Sequence, residues 1–269
     1  MRIIITGTKG FIGKNLLNKL KDYSILEINE DIFDHSNWIN ELYALLNSFD
    51  PHVIFHVGAC SDTLELNTNY MMIRNYEFTR ILSDWSKDQD AKLIYSSSAA
   101  NYGINNLYPS NLYGWSKYVA EQYVILNGGV ALRYFNVYGP GEEHKGKMAS
   151  VAYQMLTKQK NNEEVKLFPL FPKRDFVYIE DVISANLFAM ENYHKLMANY
   201  YEVGSGEART FEDILNTLNI SFTYYEEKDI PNGYQFYTCS NKTKWMNGWE
   251  SNYNLEKGLK EYLEYFKTL

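Results

Sequence analysis

The first thirteen residues limit the fold more than any other part of the chain. A strand-like run at residues 2–6, with three isoleucines at 3–5, leads into a turn with the spacing Gly-x-x-Gly-x-x-Gly, at Gly7, Gly10 and Gly13. A helical pattern begins at Phe11 and Ile12. In such a unit the first glycine permits a tight turn, the second lets a pyrophosphate approach the backbone, and the third lets the helix pack on the strand. The helix start adds free N–H groups. The turn therefore predicts dinucleotide binding by these five residues.

Strand-like and helical patterns alternate over the first half of the chain, which predicts a mainly parallel sheet with helices on both faces. The predicted strands are residues 2–6, 25–28, 53–56, 93–96 and 130–134, and the predicted helices are 11–21, 37–48, 70–87 and 113–126. Right-handed crossovers between such strands give a doubly wound, Rossmann-type α/β fold. We therefore expect a dinucleotide-binding domain over residues 1–145.

The alternation of strands and helices is less regular in the second half of the chain. We interpret residues 146–269 as mainly a smaller α/β lobe that binds substrate over the carboxyl edge of the sheet. Segments near 176–203 are expected to return to the first domain. Helices are predicted near 147–160, 180–192, 211–217 and 254–266, with strands near 165–168 and 200–203.

Composition and charge argue against several classes of protein. The apolar runs of the 269-residue chain are too short for a membrane span, and the net charge of −7 disfavours nucleic acid as a partner. The two cysteines, Cys60 and Cys239, have no histidines at ligand spacing, so neither a metal site nor a structural disulfide is predicted. The start lacks the pattern of a secretory signal, which favours the cytoplasm.

Tyr113 and Lys117 are four residues apart on a predicted helix, so their side chains share one face. A nearby lysine cation favours the phenolate, and so lowers the tyrosine pKa from about 10 toward neutrality. Such a tyrosine can exchange a proton with an alcohol while a cofactor takes the hydride. Residues 96–98 add three serines at the carboxyl end of a predicted strand, where ligands of such sheets bind. Together these residues predict a Ser/Tyr/Lys catalytic group.

With these motifs the chain resembles the extended short-chain dehydrogenases/reductases that act on nucleotide sugars, the NAD-dependent epimerase/dehydratase family. The stretch Arg-Tyr-Phe-Asn-Val-Tyr-Gly-Pro at residues 133–140 is shared widely in that family. The resemblance implies that Ser98, four residues before the tyrosine of Tyr102-Gly103, is the catalytic serine. Ser97 is the alternative and a substrate contact, and Lys117 would also contact the cofactor.

Within that family the chain is similar to the 6-epimerases of ADP-glycero-manno-heptose. The specific piece is His-Lys-Gly-x-Met-Ala-Ser at residues 144–150, and residues 57–61, 173–178 and 234–235 extend the similarity over the chain. The resemblance implies oxidation of the C6 alcohol to an aldehyde with bound NADP, and return of the hydride to the other face. Tyr113 and Lys145 would be the two proton-transfer groups. The alternative for Lys145 is neutralisation of neighbouring glutamates or of a diphosphate.

The remaining predicted site residues rest mainly on the same resemblance. Ala59 is expected beside the nicotinamide ribose. Arg174 suits a bidentate diphosphate contact, and its alternative is an ion pair with Asp175. The residues expected to bind substrate are Ser97, Asn136, His144, Ser150, Phe168, Arg174 and Tyr234; for Phe168, core packing is the alternative.

The cofactor is either NADP or NAD. Asn29 or Glu30 at the end of the second strand could hold an unphosphorylated ribose and would favour NAD. Lys9 in the glycine turn could reach a 2′-phosphate, and on this ground we expect NADP, with Asn29 and Asp31 nearby.

Two alternatives to a heptose epimerase remain. The short segment after the second strand departs from the heptose enzymes and is similar to NADP-dependent epimerase-reductases such as GDP-fucose synthase. Such an enzyme, or a 4-epimerase of another nucleotide sugar, is therefore the second hypothesis. A non-catalytic dinucleotide sensor on the same fold is the third. The long helices at 70–87 and 113–126 would lie side by side, where they could pair with a second copy in a homo-oligomer.

Overall fold

The structure is a computed structural model that describes residues 1–104, 107–231 and 234–269, without the side chain of Lys147. Eleven strands are found in these residues: β1 (Arg2–Thr6), β2 (Ser24–Ile28), β3 (Val53–His56), β4 (Lys92–Ser98), β5 (Val130–Tyr134), β6 (Asn136–Tyr138), β7 (Lys166–Leu167), β8 (Lys173–Tyr178), β9 (Asn199–Val203), β10 (Ala208–Thr210) and β11 (Thr223–Tyr224). The α-helices in the same residues are α1 (Phe11–Leu20), α2 (Trp38–Phe49), α3 (Thr68–Met72), α4 (Phe78–Asp88), α5 (Leu112–Leu126), α6 (Val151–Lys160), α7 (Ile179–Glu191), α8 (Tyr193–Leu196), α9 (Phe211–Thr217) and α10 (Leu255–Phe266).

The central sheet has six parallel strands in the order β2-β1-β3-β4-β5-β9. The predicted doubly wound α/β fold is therefore confirmed, and the predicted bounds of β1, β3 and β5 match the structure. β9 pairs with β5 from Val130 to Tyr134, so residues 199–203 form the last strand of the central sheet. The carboxyl ends of β1, β3, β4 and β5 consequently meet along one edge.

Two hydrophobic cores cover the two faces of the sheet. One contains Leu16 of α1, Ile183 of α7 and Leu259 of α10; the other contains Leu42 of α2, Leu82 of α4 and Val124 of α5. The helices α4 and α5 pack side by side on the second face, as predicted. None of the helices in the described parts of the chain is long and apolar enough to cross a membrane.

The described residues also form two small sheets, with strand orders β10-β8-β6 and β11-β7. The strands β6, β8, β10 and β11 were not predicted from the sequence. Three of them have two or three residues, and β8 begins with charged residues whose pairing depends on β6 and β10, which are distant in sequence. Such short segments show no periodicity that a sequence pattern can detect.

Two predicted helices differ from the structure. The helix predicted over 70–87 is divided into α3, a π-helical turn at Ile73–Glu77 and α4; in that turn Asn75 is buried and bonds both backbone groups of Cys60. The helix predicted near 147–160 starts only at Val151. A 3-10 segment (Glu143–Met148) precedes it, and Gly146 in this segment has a φ of 52°, which interrupts helical geometry.

Candidate active site

The glycine turn has no room for side chains. Gly7 has a φ of +71°, and a Cβ there would lie 2.5 Å from the Cα of Gly58 in the turn after β3. A Cβ on Gly13 would lie 2.1 Å from the carbonyl oxygen of Gly7. Gly10 is the N-cap of α1 and offers no side chain to the free N–H groups of the first helical turn. The turn thus forms a backbone cradle that fits a dinucleotide diphosphate.

A cleft of about 600 Å³ opens beyond this cradle, at the carboxyl ends of β1, β3 and β4. It brings together most of the predicted site residues, although they are far apart in sequence. Those that line it are Gly7, Lys9, Gly10, Phe11, Ile12, Gly13, Asn29, Ala59, Ser97, Tyr113, Lys117, His144 and Lys145. Asp31 lies outside this lining, with its carboxylate 3.7 Å from Lys9 Nζ, and both side chains are exposed.

One end of the cleft, next to β2, carries charges of both signs. Glu30 accepts from Arg74 Nε at 3.1 Å and from the Tyr70 hydroxyl at 3.0 Å, and the guanidinium of Arg74 lies 3.6 Å from the centre of the Tyr70 ring. Asn29 accepts from the backbone N–H of Lys9 at 3.1 Å. This end therefore holds a carboxylate and two cations, Arg74 and Lys9, around the place where an adenosine ribose would bind.

Tyr113 and Lys117 lie in the first two turns of α5, which begins after the N-cap Asn111. The Lys117 side chain is buried, and its Nζ lies 4.2 Å from the centre of the Tyr95 ring. Burial lowers the pKa of Lys117 to about 7, and the charge of Glu121 opposes this shift. Loss of water also raises the pKa of Tyr113, while a hydrogen bond with Ser98 acts in the opposite direction.

The pKa shift of Tyr113 is thus opposite to the one predicted from sequence. The i, i+4 spacing does place both groups on one helix face, but the same packing removes both from water. Desolvation disfavours the charged forms of the phenol and of the ammonium alike. At neutral pH the pair accordingly holds a protonated tyrosine beside a lysine that is close to its titration point.

A second lysine, Lys145, reaches the cleft from the 3-10 segment Glu143–Met148. Its Nζ lies 5.6 Å from the centre of the Phe11 ring, and burial lowers its pKa, opposed by the charge of Glu142. In the described residues Lys145 forms no ion pair with Glu142 or Glu143, whose carboxylates accept from other donors. His144 is exposed at the cleft, and the Ser150 hydroxyl caps α6 and donates to Glu142 at 2.7 Å.

Three predicted substrate residues from the C-terminal half of the chain meet in an aromatic group. The rings of Phe168 and Tyr234 are 5.3 Å apart, and the guanidinium of Arg174 lies 5.5 Å from the Tyr234 ring. Arg174 donates to Lys173 O at 2.9 Å and to the carbonyl of Gln235. The alternative of an ion pair between Arg174 and Asp175 is wrong, since the Asp175 carboxylate accepts instead from the backbone and side chains of two serines, Ser205 and Ser240.

This aromatic group is connected to the carboxyl edge of the central sheet. Gln235 Nε2 donates to the carbonyl of Gly103 at 2.7 Å, in the turn that follows Ser98. Ser98 itself accepts from the N–H of Ala100 at 3.1 Å. Asn136, by contrast, is exposed on β6 and is absent from the lining of the cleft.

A buried ion pair between α5 and β5 was not predicted from the sequence. Glu121 accepts two bonds from Arg133 of β5, at 2.5 and 2.7 Å, and also accepts from the Ser97 hydroxyl at 2.6 Å. The available signal was the position of Glu121, four residues after Lys117 on the same helix face. Ser97 also lines the cleft, but its hydroxyl is already bonded to Glu121.

No group of three potential metal-ligating side chains occurs in the described ranges of the chain.

Comparison with known proteins decides the family. The model of the NAD dependent epimerase/dehydratase family matches residues 3–204, about three quarters of the chain. The chain belongs to this family. It is 34% identical to the ADP-L-glycero-D-manno-heptose-6-epimerase of Brachyspira hyodysenteriae, over 97% of this chain and 96% of that protein.

Solved structures of the epimerase/dehydratase family superpose on the whole chain. The ADP-L-glycero-D-manno-heptose-6-epimerase of Helicobacter pylori gives a TM-score of 0.86 with 30% identity, covering 100% of this chain and 96% of that one. The UDP-glucose 4-epimerase of Thermotoga maritima, solved with UDP-glucose, gives 0.84 with 25% identity, covering 100% and 99%. The fold of the chain is thus that of solved nucleotide-sugar epimerases.

Proposed function

We propose that this protein is a 6-epimerase that interconverts ADP-D-glycero-D-manno-heptose and ADP-L-glycero-D-manno-heptose without net oxidation or reduction. The observation that carries the proposal is that Tyr113 and Lys145 both line the same cleft. Transfer of a hydride to either face of one carbon requires proton transfer at the sugar oxygen in two orientations, and two such groups meet this need. Similarity to two heptose epimerases over nearly the whole chain supports the substrate.

The cofactor in this proposal is NADP. When bound, its nicotinamide supplies the acceptor and donor of the hydride. The N–H groups at Gly10, Phe11 and Ile12 would hold the diphosphate, with Gly7 and Gly13 shaping the cradle, and Ala59 would lie beside the nicotinamide ribose. Lys9 supports the choice of NADP over NAD. Its ion pair with Asp31, at 3.7 Å, is exposed and weak, so the ammonium can leave Asp31 and bind the 2′-phosphate of the cofactor.

The side chains of the chain itself handle the protons. Tyr113 would donate to or accept from the sugar hydroxyl in one orientation, with Ser98 bonded to the same hydroxyl group, and Lys117 would contact the cofactor ribose. Lys145 would serve the other orientation. Its lowered pKa supports this role, because a lysine must lose its proton to act as a base.

Substrate recognition in this proposal is divided between the two parts of the chain. Residues 1–145 bind the dinucleotide, and residues 146–269 bind mainly the nucleotide sugar. Arg174, Phe168 and Tyr234 form a cation and aromatic surface suited to a nucleoside diphosphate. The remaining contacts to the sugar are assigned to Ser97, Asn136, His144 and Ser150. We place the reaction in the cytoplasm and expect a homo-oligomer formed through α4 and α5.

The test is proton NMR of the purified protein with ADP-D-glycero-D-manno-heptose, with no added cofactor and with absorbance at 340 nm recorded alongside. We expect conversion to the L-glycero epimer with no lasting change in absorbance. Tyr113→Phe should abolish turnover and retain bound cofactor, because only the hydroxyl is lost. Tyr118→Phe, on the same helix, is the matched control and should remain active.

Two results would contradict the proposal. Full activity of Tyr113→Phe would remove the assigned role of Tyr113. A folded, cofactor-bound protein that leaves the heptose unchanged, but consumes NADPH with another nucleotide sugar, would be an epimerase-reductase instead. The short segment after β2 favours that second candidate, because in this segment the chain is similar to epimerase-reductases such as GDP-fucose synthase.

A further inference from the structure

The loop that carries Lys145 is fixed on one side by the glycine-turn helix. Asn15 of α1 donates to Pro140 O at 2.9 Å and to Phe11 O at 3.0 Å. The backbone N–H of Lys145 donates to Glu142 O at 3.0 Å. These bonds place the start of the loop beside Phe11, whose ring also contacts the Lys145 ammonium.

The other side of the loop is fixed through a buried carboxylate. Glu142 is 0% exposed, and its oxygens accept from the N–H of Gly139 at 3.2 Å and from the N–H and hydroxyl of Ser150 at 2.5 and 2.7 Å. These three bonds close the loop on itself. A fourth comes from the Tyr262 hydroxyl of α10 at 2.8 Å, although the two residues are 120 positions apart.

The neighbouring carboxylate is held by the same helix. Glu143 accepts from the N–H of Gly141 at 3.1 Å and from the Tyr265 hydroxyl at 2.6 Å. Tyr262 and Tyr265 are three residues apart on α10, and their ring centres are 6.3 Å apart at an angle of 18°. Two phenols from one helix face thus meet two consecutive glutamates at the point where the Lys145 segment begins.

We propose that Tyr262 and Tyr265 are positioning residues for Lys145, because they hold Glu142 and Glu143 and thereby keep the ammonium in the cleft. The inference rests on the proposed function, in which Lys145 is the second proton-transfer group. Because α10 lies beyond residues 3–204, which the family model matches, this contact belongs to the C-terminal part of the chain.

Removal of a phenol hydroxyl should release the loop toward solvent. The ionisable groups around it are Glu142, Glu143 and His144 on the loop, Lys14 of α1, whose charge acts on Glu143, and the two tyrosines of α10. Since burial lowers the pKa of Lys145, exposure should raise it toward its ordinary value. At a given pH less of the free amine would then be present, and the acid limb of the kcat profile should move to higher pH.

The experiment compares Tyr262→Phe, Tyr265→Phe and the control Tyr193→Phe, each purified with its cofactor. Tyr193 is also buried and bonded through its hydroxyl, to Gly128 O at 3.2 Å, but it lies away from the loop. Competitive labelling of lysines with acetic anhydride, read by peptide mass spectrometry as a function of pH, measures Lys145 independently of activity. Epimerisation kinetics are measured on the same samples.

We expect a raised Lys145 pKa in both tyrosine variants, with kcat lowered about tenfold, which corresponds to about 1.4 kcal/mol in the barrier. KM should change little, and Tyr193→Phe should match the wild type in every readout. Unchanged labelling of Lys145 would overturn the proposal, as would changed labelling with an unchanged kcat. If Tyr262→Phe does not fold, the half-buried Tyr265→Phe decides by the same readouts. Changed labelling in a protein that converts no heptose would support the positioning role and reject the proposed function.

Discussion

At the scale of single residues, Lys117 shows how a buried ammonium group in the cleft opposes stability. Its pKa is lowered from 10.5 to about 7 by burial, so the unfolded chain binds this proton more tightly than the folded one. The folded state is penalised most below pH 7, and the penalty diminishes as pH rises toward 10.5. We therefore expect Lys117→Met to raise the free energy of unfolding by roughly 1–4 kcal/mol at pH 7, while activity is lost.

Chemical denaturation at pH 7 and pH 9 tests this expectation on protein stripped of cofactor. The difference between Lys117→Met and the wild type should be smaller at pH 9, because less energy is then needed to deprotonate the unfolded lysine. Lys19→Met, on the exposed face of α1, is the control and should show no such dependence. A difference that stays constant with pH would refute the assigned cause.

At the scale of secondary-structure elements, the Glu121–Arg133 pair joins α5 to β5 and supports the helix that carries both Tyr113 and Lys117. Both partners are almost fully buried, and Glu121 also accepts from the side chain of Asn101 at 3.0 Å. Removal of one member leaves the other as an uncompensated buried charge. We expect Arg133→Met to lower the free energy of unfolding by about 3–5 kcal/mol, and Glu121→Met to have an effect of similar size.

A double-mutant cycle measures this coupling. The double variant, with Met at both positions, should lose much less free energy of unfolding than the two single variants together, because neither charge then remains unpaired. Additive losses in chemical denaturation would mean that the two side chains act independently. In that case the ion pair would not be what holds α5 against the sheet.

At the scale of the whole molecule, cofactor preference should be visible as linked stability. A ligand that binds only the folded state stabilises it by about 2.7 kcal/mol at a concentration of 100 Kd, so the tighter dinucleotide raises the melting temperature more. We expect NADP to raise the melting temperature more than NAD at equal concentration, because Lys9 and Arg74 line the end of the cleft proposed for the adenosine ribose.

The matched variants are Lys9→Ala and Lys14→Ala, one in the glycine turn and one on the exposed side of α1. Lys9→Ala should remove most of the advantage of NADP in thermal unfolding, and Lys14→Ala should preserve it. A larger shift with NAD in the wild type would instead assign Glu30 to an unphosphorylated ribose. It would then be the carboxylate held by Arg74, not Lys9, that selects the cofactor.

Local patterns in the sequence were enough for the fold and for the centre of the candidate site. The bounds of β1, β3 and β5, the glycine turn and the shared face of Tyr113 and Lys117 all follow from spacing along the chain. Spacing carries this information because strand and helix periods are local properties of the backbone. The short strands β6 and β10 were not predicted, because their pairing with β8 depends on contacts between segments that are distant in sequence.

The amino-acid sequence by itself determined the doubly wound fold, the dinucleotide cradle and which side chains lie together on α5. Only the tertiary structure decided how those side chains ionise. The pKa of Tyr113 is raised, not lowered as the helix spacing predicted, because exclusion of water depends on all the residues packed around a group. The tertiary structure also joined Glu142 to Tyr262 across 120 residues, a contact with no local pattern that could predict it.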